Sequence, residues 1–339
     1  MSMARWRHYA IAAVVAACGF VPIAAPAQQP IETVIALPTS TLTYSTSIVA
    51  EAAGFYRKEG LKVSQPVLVG VAAVNAVIAG SADFTIGTGP VFLRAAAQGQ
   101  RLLAIANLID RPLLEIVLRK DVADRLGITP AMTLAERAKR LKGTTIAIQG
   151  VGSIVNAWER YVAVKGGLDP ETDVRIAPME PTAMLAALET KAIDGFTTSM
   201  PFTTNAVLRG SAVMFASAAR GDAPELLPFA YGLIETKPET CRANREKCVR
   251  VVRALAAATR LIRDKPDEAL NYLRDRFKTI DPPLLEAAWK VVSQAHAKDL
   301  RVTEAELENS EEVNLVSKLL DPKDKLASYD GLWTDEYVQ

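Results

Sequence analysis

Histidine is almost absent. The 339 residues hold two, His8 and His296. That excludes a multi-histidine metal site and leaves any histidine-based triad without a partner near the loops. Acid and base nearly cancel, at a formal net charge of +1, so no nucleic-acid partner is expected. Gly150-Val151-Gly152-Ser153 is not followed by the Gly-Lys-Ser/Thr of a phosphate loop and lacks the full dinucleotide pattern. No cofactor or metal is expected. Past the N-terminal segment, no apolar run is long enough to span a membrane. Cysteine is scarce too, with Cys18, Cys241 and Cys248 making three.

Residues 1–27 have the form of a secretory leader. Arg5 and Arg7 precede an apolar run from Tyr9 to Ala25, and Ala25-Pro26-Ala27 offers a small-residue cleavage site. The alternative is lipoprotein processing behind Val15-Ala16-Ala17, which would leave Cys18 lipidated. Export permits a Cys241–Cys248 disulfide, with two free thiols as the alternative. Seven residues of helix span about 10.5 Å, beyond the ~7 Å limit for bridged Cα atoms. A bridge therefore predicts Cys241 in the turn after Pro238 and Cys248 inside a helix that begins near Ala243.

The chain repeats itself. "SADFTIGTGP" (81–90) and "AIDGFTTSMP" (192–201) share a pattern, and both Asp83/Asp194 and Pro90/Pro201 lie 111 residues apart. The same offset lays "VIALP" (34–38) on "TIAIQ" (145–149) and "AAVNAVIAGSAD" (72–83) on "AMLAALETKAID" (183–194), with no gap. A period this long indicates duplicated domains rather than a solenoid. Strand-like and helix-like segments alternate in both units, which predicts α/β lobes with mostly parallel sheets flanked by helices. The end of the chain reads as helices over 243–264, 267–276, 282–297 and 303–320.

In open α/β sheets, ligands sit beyond the carboxyl ends of the strands. Those ends are polar or glycine-rich in both units: Thr39-Ser40-Thr41, Gly70 and Thr88-Gly89, then Gln149 to Ser153, Thr182 and Thr198-Ser199. Several are helix N-termini, whose free N–H groups favour an anion or another acceptor. Tyr44 is placed to stack. For any one Thr or Ser the plain alternative is a helix cap. Arg111 offers a bidentate cation for a ligand carboxylate or sulfonate, or is a solvated loop charge. Asp83 and Asp194 precede their strands, at the edge away from the loops, and read as turn residues. His296, on a late helix, reads as a surface or packing residue, and Trp158 and Trp333 as packing residues. No catalytic group emerges.

The stretches "AEAAGFYRKEGLKV" (50–63), "AVIAGSADFTIG" (76–87), "LKGTTIAIQGVGS" (141–153), "AALETKAIDGFTTSMP" (186–201) and "VVRALAAATRLIRDKPDEAL" (251–270) carry a resemblance. The chain resembles the type II periplasmic solute-binding proteins of ABC importers, in the branch of nitrate, sulfonate, taurine and thiamine-precursor binders. The resemblance implies two lobes, 28–115 with 232–339 and 116–231, joined by two crossing strands and closing by a hinge on a small organic, anionic ligand. It implies ligand positions at Thr39, Ser40, Tyr44, Thr88, Gly89, Gly152, Ser153, Thr198 and Ser199. It also implies a monomeric periplasmic protein, not an enzyme, that delivers its solute to a membrane permease. Some relatives carry Trp or Asp before the second-lobe proline, where this chain has Ser199-Met200. Two alternatives share the fold: a lyase or synthase of menaquinone or thiamine-precursor type, and a partner that presents ligand to a sensor kinase.

Overall fold

The computed structural model describes residues 29–338. The expected leader, its cleavage site and Cys18 lie outside the described residues. Ten strands form two five-stranded sheets. The first holds β1 (Ile31–Ala36), β2 (Leu61–Ser64), β3 (Phe84–Gly87), β4 (Leu103–Asn107) and β10 (Leu233–Thr236), in the order β2-β1-β3-β10-β4. The second holds β5 (Glu115–Arg119), β6 (Thr145–Ile148), β7 (Arg175–Pro178), β8 (Gly195–Thr198) and β9 (Ala212–Ser217), in the order β7-β6-β8-β5-β9. In each sheet the fourth strand runs antiparallel to its neighbours. Each fourth strand also comes from the other side of a crossing. The chain passes between sheets once from β4 to β5 and once from β9 to β10.

The duplication is visible in the register. Ile35 pairs with Phe84 and Ala36 with Thr85; 111 residues on, Ile146 pairs with Gly195 and Ala147 with Phe196. Asp83 and Asp194 match as well. Asp83 Oδ2 accepts from the Val34 N–H at 2.8 Å and Asp194 Oδ2 from the Thr145 N–H at 2.9 Å. Each carboxylate thus pins the loop before the third strand onto the first. Even the β-bulges correspond, at Ile234/Glu235 and Ile116/Val117.

Helices α1 (Ser45–Ala52), α2 (Phe55–Lys58), α3 (Ala72–Ala79) and α4 (Gly89–Ala97) accompany the first sheet. Helices α5 (Lys120–Arg125), α6 (Leu134–Ala138), α7 (Ile154–Lys165), α8 (Pro181–Glu189) and α9 (Phe202–Leu208) accompany the second. Ala36, Val74, Val77, Phe92 and Leu233 form one apolar cluster beneath α3 and α4. Met184, Leu188, Phe196 and Phe202 form its twin beneath α8 and α9. Burying each such large side chain stabilises the fold by roughly 1.5–3 kcal/mol. The C-terminal part adds α10 (Pro238–Ala243), α11 (Arg245–Asp264), α12 (Pro266–Leu273), α13 (Pro282–Val292) and α14 (Glu304–Val316). In α11, Val251, Leu255, Ala258 and Ile262 recur at helical spacing and are buried, and the helix packs on α1 and α2. Helix α14 starts with a capping box, Thr303 with Glu306, and packs on both α4 and α7.

Cys241 and Cys248 are bonded, with Cα atoms 5.7 Å apart. The sequence reading put Cys241 in a turn, but it lies in α10. The break at Asn244 (φ −148°, ψ 81°), between two helices, shortens the span that a continuous helix would impose. Closing so short a loop contributes about 2–3 kcal/mol through the unfolded chain. The double variant Cys241→Ala/Cys248→Ala is expected to lose that much in urea unfolding. An unshifted midpoint would mean the bridge constrains nothing the helices do not.

Candidate functional site

The strand-end loops of the two sheets face each other. Thr43 Oγ1 donates to Ser199 Oγ at 3.1 Å, and Gln149 Nε2 donates to Thr39 Oγ1 at 3.0 Å. The Leu42 N–H donates to the Met200 carbonyl at 3.1 Å. All three bonds join the first sheet's loops to the second's. Between them lie two small cavities, of about 40 and 30 Å³. Both are bounded by Pro38, Tyr44, Gly70, Ser153 and Ile154. The larger also meets Thr39, Thr41, Thr43, Gln149, Ser199 and Tyr231, and the smaller meets Val74, Gly87, Thr88 and Val91.

Local sequence explains each position. Pro38 ends β1, and a short 3-10 turn at Leu42–Tyr44 turns the chain into α1, with Tyr44 buried at the junction. Thr88 is the N-cap residue of α4 but makes no side-chain capping bond. Its Oγ1, like that of Thr41, is buried with no hydrogen-bond partner among the described residues. Buried hydroxyls are nearly always bonded, so two orphans on one cleft are a signal. Gly152 takes φ +75°, in the left-handed region where glycine is favoured, and delivers the chain to α7. Ser153 caps that helix, accepting from the Asn156 N–H while its Oγ donates to the Gly150 carbonyl at 2.6 Å. Ile154 and Val155, the first residues of α7, also face the larger cavity.

The electrostatics favour acceptors. The N-terminus of α7 brings a partial positive charge. Behind it, Arg94 of α4 donates to the Gly152 carbonyl and to Asn314 Oδ1 of α14. Burial pulls the Arg94 guanidinium down to about 10, which leaves it charged at neutral pH. Burial pushes the Tyr44 and Tyr231 hydroxyls well above the usual phenol range, so both stay neutral. Glu235, completely buried in β10, has its carboxyl pushed far up by the same cause.

Of the residues singled out in the sequence, Thr39, Tyr44, Thr88, Ser153 and Ser199 border the cavities. Thr198 stands one step behind, its hydroxyl donating to Gln149 Oε1 at 3.0 Å. Gly152 offers its carbonyl to Arg94 and its N–H to Asn156 Oδ1 at 3.0 Å. Ser40 is half-buried and outside both linings. Gly89 is spoken for: its N–H donates to the Ala230 carbonyl at 2.7 Å, and a Cβ there would stand 2.3 Å from Ser310 Oγ. Arg111 lies on the first crossing, half-exposed, 3.4 Å from Asp110, and borders neither cavity. Sequence reasoning missed Thr43, Tyr231, Arg94 and Glu235. His296, expected as a surface or packing residue, is buried and packs against Ser45, at 3.2 Å from Nε2 to Oγ. No carboxylate backs that pair, since Nδ1 meets the Val292 carbonyl. Among the described residues, no cluster of His, Cys, Asp and Glu has the geometry of a metal site.

Two such sheets, crossed twice and meeting at one cleft, define a periplasmic-binding-protein fold. Residues 35–272 match the family model, and the chain belongs to the NMT1-like family. The alkanesulfonate-binding protein SsuA from Xanthomonas axonopodis pv. citri, solved with MOPS, is similar at 19% identity and a TM-score of 0.69, covering 89% of this chain and 98% of its own. The periplasmic nitrate-binding protein NrtA from Synechocystis PCC 6803 is similar at 12% identity and a TM-score of 0.67, covering 91% and 87%. A Candida albicans protein described as having the generic periplasmic binding protein fold gives 13% identity and a TM-score of 0.67, covering 90% and 96%. No curated protein sequence matches the chain.

Proposed function

We propose that this protein is the extracytoplasmic solute-binding component of an ABC importer, holding a small organic anion in the cleft and delivering it to a membrane permease. The lobes we assign are 28–115 with 232–339, and 116–231. The protein acts as a periplasmic monomer and performs no chemistry on its solute. One observation carries the reading: the orphan hydroxyls of Thr41 and Thr88, on the first lobe, share a cleft with the N-terminus of α7 on the second. A helix N-terminus and unpartnered hydroxyls together suit an oxyanion. A solute bridging them stabilises the closed form by touching both lobes.

The cavities are far smaller than the ~300–1,000 Å³ of pockets that hold drug-sized ligands. Entry therefore requires the lobes to part, with the crossings at 108–114 and 218–232 absorbing the change. A thermal-shift screen of organic anions on residues 28–339 tests the reading, since a ligand at 100 times its Kd adds roughly 2.7 kcal/mol of stability. No stabilisation by any anion would sink it. Ser153→Pro removes the cap and an N–H at the start of α7. That variant is expected to lose ligand-induced stabilisation while its own unfolding curve stays cooperative. Unchanged affinity would take the helix start out of the site.

A further inference from the structure

Glu235 is the residue in the first sheet that the fold does not explain. Through the bulges and pairings, β10 in the first sheet is the counterpart of β5 in the second. Glu235 sits opposite Thr85, and Val117 opposite Phe196, its duplicate 111 residues on. Both Glu235 and Val117 are fully buried. The architecture thus accepts a valine in this seat, yet the first lobe carries a carboxyl. Among the described residues, neither of its oxygens has a hydrogen-bond partner. Burying such a group unpaired is costly, and no charged neighbour offsets the cost here.

The carboxyl lies over Gly87, where a Cβ would stand 1.9 Å from Glu235 Oε1. Gly87 borders the smaller cavity, beside Tyr44 and the orphan hydroxyl of Thr88. The charge of Glu235 opposes ionisation of Tyr44, as expected for near neighbours. No side chain at Gly87, and no hydrogen bond among the described residues, holds the Glu235 carboxyl away from that cavity. The duplicate of Gly87 is Thr198, whose hydroxyl donates to Gln149 Oε1 at 3.0 Å.

We propose that Glu235 is the specificity-determining acceptor of the cleft, receiving an amino group of the solute while the acidic end of the solute rests at the N-terminus of α7. This rests on the solute-binding reading and narrows the solute to amino-bearing organic acids. An ammonium gives the carboxyl the charged partner it lacks, and the glycine leaves it room to arrive. Simple anions such as nitrate or unsubstituted alkanesulfonates leave Glu235 unpaired.

The test uses matched pairs on residues 28–339: propanesulfonate against aminopropanesulfonate, and butyrate against γ-aminobutyrate, by calorimetry and thermal shift. The amino member of at least one pair is expected to bind about tenfold to a hundredfold more tightly. Glu235→Met keeps the volume and removes the acid. It is expected to abolish that preference and to melt at a higher temperature than the parent. Equal binding within each pair overturns this inference and leaves the solute-binding reading standing. No binding by any member counts against both. A Glu235→Met protein that melts lower than the parent shows the carboxyl to be structural and overturns the inference by itself.

Discussion

The Arg94→Met variant is expected to bind solute about 30- to 100-fold more weakly than the parent while both lobes stay folded. Arg94 belongs to α4 in the first lobe, and its guanidinium donates to the Gly152 carbonyl in the second. It donates as well to Asn314 Oδ1, whose amide donates in turn to the Pro90 carbonyl at 2.8 Å. The methionine keeps the aliphatic packing and removes the donors. With the lobes closed, the half-buried Gly152 carbonyl then loses its charged donor. With the lobes apart, water satisfies it. The cost of about 2–3 kcal/mol therefore falls on the closed state. Solute needs the closed state, so its apparent affinity drops by the fraction of closed protein lost. Calorimetry with the best stabilising acid reads the affinity, and solution scattering reads the opening. Unchanged values in both would mean Arg94 is a packing residue.

Closure extends beyond the cleft. Arg160 of α7 donates to the Ser317 carbonyl at 2.6 Å, just past the end of α14. Helix α14 packs on α4, and Ser310 from it fills the space over Gly89. The C-terminal helix is thus a wall against which α7 packs. The second sheet's loops and α7 meet two surfaces of the first unit: the loop after β1, and the α4–α14 face. Arg94 stands where these surfaces join, which is why its loss is expected to exceed that of any one hydroxyl in the cleft.

The duplication was legible because it is local. Strand, helix and turn residues repeat at one offset, and β3 and β8 fall in matching spans. Strand-end loops were legible for the same reason, and Thr39, Tyr44, Thr88, Ser153 and Ser199 all reach the cleft wall. What stayed hidden depends on residues far apart in the chain. Gly89 looks like a ligand-binding glycine until Ser310 is placed over it. Nothing in the sequence around Arg94 marks it, because its partners Asn314 and Gly152 come from distant elements. Glu235 interrupts an apolar stretch, but nothing nearby says which face of β10 it takes. Cys241 falls in a helix rather than a turn because the chain forms two helices here, α10 and α11, broken at Asn244, where the spacing argument allows only one that begins near Ala243.

His296 supplies the largest expected effect on stability. Its partner is 251 residues away: the Ser45 hydroxyl donates to Nε2, because Nδ1–H is already given to the Val292 carbonyl at 3.1 Å. The ring is 4% exposed and lies 6.2 Å from the Trp289 ring. Burial, and more weakly the charge of Arg263, pushes the imidazole down to about 4. In the unfolded chain it titrates near 6.5. The folded value is the lower, so the unfolded state takes up the proton first as pH falls. The stabilisation is complete above about pH 6.5 and is lost progressively down to about pH 4, for a total of about 3 kcal/mol. The non-titrating His296→Gln variant is expected to start less stable and to lose about 3 kcal/mol less than the parent between pH 7 and pH 4. Urea unfolding of both proteins across that range checks it, and parallel pH profiles would refute it. The locus matters because the His296 backbone bridges Ile109 on the first crossing while its ring holds Ser45 next to Tyr44. Acid that charges this ring therefore loosens the hinge and the cleft together, so solute affinity is expected to fall over the same pH window as stability.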